Sequence, residues 1–92
     1  MSTSEFNTQR AETVALKALE FILADNRLQS EFLSTSGLSP KDIHESIQKT
    51  DFLGGVLDFL LGQEADLIRF CEDYKINQEQ PKICREALQE KK

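Results

Sequence analysis

The chain has 92 residues, 39% of them apolar and 29% charged, which gives room for one domain and one modest core and excludes the low-hydrophobicity class of disordered chains. The formal net charge of -5 repels phosphate backbones and anionic lipid headgroups, so nucleic acid and membrane surfaces are disfavoured as partners. No cationic leader precedes an apolar stretch, and no apolar run approaches the roughly 18 residues needed to span a bilayer. The two cysteines, Cys71 and Cys84, are too few for a disulfide framework and fit a reducing cytoplasm, the expected location.

The apolar residues recur with helical period, and the alternation of a half-buried strand is missing. Residues 1–8 read as a flexible N-terminal tail, followed by a single helical domain over 9–90. A first helix is expected from about Thr8 to Ala24, apolar on most sides, with a narrow polar stripe that includes Thr13, Lys17 and Glu20. Asp25 or Asn26 caps a short second helix carrying Leu28, Phe32 and Leu33 inward, and Gly37 ends it in a Schellman turn closed by Leu38. Ser39 and Pro40 form an N-cap and first-residue pair for a third helix presenting Ile43 and Ile47.

Thr50 and Asp51 open the fourth helix, which runs to about Gly62 and is again apolar on most sides. The fifth, from about Glu64 to Tyr74, offers Leu67, Ile68, Phe70 and Cys71. Asn77 is expected to cap the sixth, with Gln80 as capping-box partner and Pro81 in the first turn. The fold class is therefore all-α: a compact bundle of about six helices.

Shifting the chain by 38 residues lays Leu19, Phe21, Leu23 and Phe32 on Leu57, Phe59, Leu61 and Phe70 without a gap. Thr13, Lys17, Glu20 and Ala24 fall on Asp51, Gly55, Asp58 and Gly62, and the cap Ser39 falls on Asn77. The pattern reads as a duplicated helix-turn-helix unit, repeat one over about 12–49 and repeat two over about 50–89. Agreement fails at Gly54 and Gly55, and at Lys75, which stands where the first copy has Gly37.

The block from Ala15 to Ile47, the string Phe52-Leu-Gly-Gly-Val-Leu-Asp-Phe-Leu-Leu61 and the turn Ser36-Gly-Leu-Ser-Pro40 resemble the domain of unknown function 3572 family. The resemblance implies a small helical bacterial protein, mostly alphaproteobacterial, with no assigned activity and hence no catalytic residues to carry over. It also nominates a response regulator as partner.

Chemistry is sparsely represented. His44 is the one histidine and is expected to face water, and the cysteines read as small core residues. No nucleophile elbow or phosphate loop is present. Acid-base work could use Glu20 and Asp58 if a pseudo-twofold axis brought them together. Gly54 and Gly55 each cost a helix about 1 kcal/mol relative to alanine, so another helix backbone approaches them closely, or a softened first turn tolerates them, or they open a shallow groove for a partner's side chain.

The leading expectation is a non-enzymatic interaction or regulatory module, monomer or dimer, with no cofactor and no metal. Its contact surface would comprise Thr13, Lys17, Glu20, Asp51, Gly54, Gly55, Asp58 and Lys75. The alternatives are a nucleic-acid-binding helix-turn-helix protein, opposed by Asp51 and Asp58 on its recognition helix, and a small enzyme using Glu20 or Asp58.

Overall fold

The spacing of Ala11, Val14, Ala15, Ala18, Leu19 and Ile22 places all six on the inward sides of one helix, and each is buried. The computed structural model describes the backbone of residues 3–89 and the side chains of 9–88. Among those residues the elements are α1 (Thr3–Leu23), α2 (Asn26–Ser36), α3 (Pro40–Ser46), α4 (Thr50–Leu61), α5 (Glu64–Tyr74) and α6 (Gln80–Gln89), with no strand. Helix α1 begins at Thr3 rather than near Thr8, its hydrogen-bonded turns extending ahead of the apolar period that marked its start in the sequence. Residues 3–8 of the expected tail thus belong to the helix, and residues 1 and 2 and 90–92 lie outside the described part of the chain.

Helices α1, α4 and α6 each pack against the other two and form the centre. Helix α2 lies against α1, and α5 lies against α4 and the end of α1. The core they enclose includes Ile22, Leu28, Val56, Leu57, Leu60 and Phe70, all with no exposed surface. The radius of gyration, 12.5 Å, is that of a compact domain of this length, for which about 12 Å is expected.

The caps explain where the helices stop and start. The Asp25 side chain accepts from the Leu28 amide at 3.1 Å and begins α2; that bond is the chief reason its carboxyl is held below the usual range. Ser39 caps α3, with Pro40 next, and the Asp42 carboxylate accepts from the Ser39 amide at 3.1 Å. Gly37 takes the left-handed conformation (φ 73°), and its amide donates to the Leu33 carbonyl; Leu38 bonds instead to the Ser36 hydroxyl, so the turn is the simpler left-handed motif and not the expected Schellman one. The Schellman turn occurs at Lys75, also left-handed (φ 56°), where Ile76 donates to the Cys71 carbonyl and Lys75 to the Glu72 carbonyl. Lys75 therefore has the backbone of Gly37, 38 residues on, despite its side chain.

Helix α6 starts two residues later than a cap at Asn77 would place it. A helix capped by Asn77 would put Pro81 at its fourth position, where an amide hydrogen must donate to the Asn77 carbonyl and proline has none. The Asn77 side chain instead accepts from the Glu79 amide in a separate turn, the helix begins at Gln80, and Pro81 falls at the second position, fully buried. Both cysteines are buried and unoxidised, and burial pushes both thiols up.

Several relations recur at the offset of 38. Helices α1 and α4 end at Leu23 and Leu61, and α2 and α5 have the same length of 11 residues, starting at Asn26 and Glu64. Phe21 meets Phe70 edge-on with centroids 5.5 Å apart, and Phe59 meets Phe32 edge-on at 5.4 Å. The second pair is the first with its members exchanged: each short helix packs its phenylalanine on the long helix of the other half.

Candidate functional site

The polar stripes of α1 and α4 follow from their spacing. Thr13, Lys17, Glu20 and Ala24 fall on one side of α1, Asp51, Gly55, Asp58 and Gly62 on one side of α4, and all eight are exposed. Each stripe borders apolar surface, and together they form two open grooves.

On α4, Gly55 forms the floor of a groove of about 480 Å³ walled by Phe52, Phe59 and, from α2, Phe32, Thr35 and Ser36. Asp51 and Asp58 stand at its edge. On the other side of the same ridge a smaller hollow of about 230 Å³ lies between α4 and α6, bordered by Gly54, Gly55, Arg85 and Leu88. A Cβ added to Gly54 or Gly55 would meet nothing within 4 Å. No backbone among the described residues crosses closely there, which corrects the close-approach expectation: the glycines leave open space. In the lone chain at low concentration, Gly54→Ala and Gly55→Ala are thus each expected to add about 0.5–1 kcal/mol of stability, read as a raised denaturation midpoint. A loss of stability would mean that the space is occupied.

On α1, Leu16, Leu19 and Leu23 join Ile47 from the end of α3 around Thr13, Lys17 and Glu20. Leu16 is 42% exposed, one of two large apolar side chains standing so far out among the described residues; the other is Ile83 on α6. Thr13 and Leu16 are the 38-residue equivalents of Asp51 and Gly54, and Lys17 and Glu20 those of Gly55 and Asp58.

The two carboxylates weighed for acid-base work line different grooves. Glu20 accepts from the Tyr74 hydroxyl at 3.2 Å, tying α1 to α5. Asp58 takes two hydrogen bonds from Arg85, at 2.5 and 2.7 Å, tying α4 to α6 and raising the Arg85 pKa. Lys75 borders neither groove and caps α5, and His44 is exposed on α3. Desolvation first, and then the Glu20 hydrogen bond, push the Tyr74 phenol up. Tyr74 is the one tyrosine and the chain has no tryptophan, so ultraviolet titration reads it alone. Its midpoint should lie above the ordinary value of about 10 and fall in Glu20→Gln. Because the folded value is raised, the stability from the neutral phenol is complete below about pH 10 and is lost as pH climbs through the folded pKa.

The sequence did not reveal the aromatic wall or the one buried charge among the described residues. Phe52 and Phe59 flank Gly55 at a spacing of seven, a legible signal. Asp66 is 6% exposed and is clasped by Arg27 and Arg69; only its spacing of three from Arg69 was visible.

The fold and its two faces define the chain as a small all-helical domain with open apolar grooves. A family model described as a protein of unknown function (DUF3572) matches residues 8–91, and the chain belongs to that family. No curated protein and no solved structure matches it.

Proposed function

We propose that this domain is a non-enzymatic interaction module that receives a partner protein's helix on the exposed faces of α1 and α4. The observation that carries this reading is the α4 groove: three phenylalanines border a glycine floor that no described residue fills. A helix laid there would bury apolar side chains between Phe32, Phe52 and Phe59, the usual way an amphipathic helix enters a groove. Patches of this kind, rimmed by polar groups, mark protein contact more often than chemistry. The offsets of helix ends and aromatic pairs support an origin by duplication, with the α1 face as counterpart of the α4 face.

Helix α4 carries no basic residue and exposes Asp51 and Asp58, which opposes a phosphate backbone and argues against helix-turn-helix binding of nucleic acid. No helix among the described residues is long and apolar enough to cross a membrane. The same reading sets the module in a reducing cytoplasm, where its two buried thiols stay free.

Photo-crosslinking in the native host tests the proposal. A crosslinking amino acid at Thr13 or Ser36, on the rims of the two grooves, should capture protein, whether a response regulator, another partner or a second copy. The same group at His44 on α3 should not. Equal capture at all three positions, or none at the groove rims, would sink the reading.

A further inference from the structure

We propose that the occupant of the α4 groove is a second copy of this chain, which seats Leu16 of its α1 over Gly54 and Gly55 and sets Lys17 against Asp51. The inference rests on the interaction reading above and names its partner.

The first argument is shape. Leu16 projects from α1 with 42% of its surface exposed, while a side chain at Gly54 or Gly55 would enter open space. A projection and a recess thus occupy equivalent positions, 38 residues apart, on two helices that end in the same register. A helix whose Leu16 filled that recess would bring two helix axes closer than any larger residue at Gly54 or Gly55 would allow.

The second argument is charge. Lys17 follows Leu16, is exposed and has no ion-pair partner within the described residues; Asp51 is likewise exposed and without one. Asp51 lies four residues before Gly55, so an ammonium group placed over Gly55 has an unpaired carboxylate one turn away. Arg85 of α6 already holds Asp58, which leaves Asp51 as the carboxylate open to a second copy. With the helices parallel, Glu20 of the second copy meets Asp58, whose charge Arg85 already holds, and Glu20 is itself bonded to its own Tyr74. The contact joins different surfaces of the two copies, so it closes into a dimer when formed twice between the same pair and otherwise extends into a chain.

Sedimentation equilibrium of the purified full chain over a wide concentration range tests this, with circular dichroism as the check on folding. The mass should rise with concentration. Leu16→Asp, Lys17→Asp and Asp51→Lys should each weaken association by about tenfold or more, since one desolvated charge pair or apolar anchor carries that much. All three alter exposed side chains and leave the core intact. Lys17→Asp combined with Asp51→Lys in one chain should restore association, as should mixing the two single variants. A monomer at every concentration overturns the proposal, as does association indifferent to the charge exchange. A chain that is monomeric alone yet crosslinks to a different protein at Thr13 or Ser36 overturns it and leaves the interaction reading standing. Absence of any crosslink ends both.

Discussion

Phe70→Ala is expected to cost about 3–5 kcal/mol, the largest loss available from a single side chain here. Phe70 has no exposed surface, and its ring stands 5.5 Å from Phe21 and 5.0 Å from Tyr74. It is the contact by which α5, in the second half of the chain, grips α1 in the first. Truncation would leave a cavity between two helices already fixed by α4 and α6, so little collapse can fill it. Domains of this size have about 5–15 kcal/mol in total, which places the variant near the edge of folding. Phe32 stands at the equivalent position, packed 5.4 Å from Phe59 and 6.0 Å from Phe52, but it lines the open α4 groove. Its neighbours can close inward, and Phe32→Ala should cost less. Urea midpoints of both variants decide the matter; equal losses would mean that the groove is as rigid as the core.

That asymmetry between equivalent phenylalanines was hidden in the sequence, where the two strings look alike. Helical period and caps were enough to place six helices, to bury Leu28, Ile43 and Phe70, and to start α3 at Ser39 and Pro40. These features depend on residues within a turn or two of one another. The start of α6 depended on which of two local signals prevailed, and the missing amide of Pro81 outweighed the preference for Asn77 as a cap. Gly54 and Gly55 announced a local cost, but what lies opposite a glycine is settled by helices distant in sequence, and here no described residue does. Lys75 looked like a departure from Gly37 and proved to share its conformation, because the Schellman hydrogen bonds at Cys71 and Glu72 hold a left-handed residue even with a Cβ. The stripes on α1 and α4 were legible as exposed faces; the aromatic wall that makes one of them a groove needed Phe32 from α2.

Asp66→Ala should lower stability by about 2 kcal/mol, a large effect for a substitution outside the apolar core. Asp66 is the one buried charged residue among those described. One nitrogen of Arg27 donates to both its oxygens, at 3.0 and 2.9 Å, and Arg69 donates at 2.9 Å. Arg69 also lies 3.7 Å from the carboxylate of Asp25, the cap of α2, and its guanidinium sits 5.3 Å from the centre of the Phe21 ring. One carboxylate thereby gathers the start of α2, the end of α1 and α5. Losing it removes three charge-assisted hydrogen bonds, yet both arginine side chains are about half exposed, 53% and 51%, and can turn to water. The cost therefore falls below the roughly 3–5 kcal/mol of breaking a fully buried pair. Asp66→Asn keeps an acceptor and loses the charge, so it should fall between the other two. A double-mutant cycle with Arg27→Met isolates the α2 to α5 link, and Asp66→Ala indistinguishable from the parent would show that the cluster only decorates the surface. The acid side has its own signature. Asp25 is depressed in the folded chain, so its contribution is present above about pH 3.9 and disappears as pH falls through the lower folded value; Arg69→Met removes a cation that assists this and should make the acid transition begin at higher pH. Because α2 carries Phe32, Thr35 and Ser36 into the wall of the α4 groove, loosening its N-terminal end should also blur that wall. A partner or second copy held there should bind less well to Asp66→Ala although Asp66 never touches it.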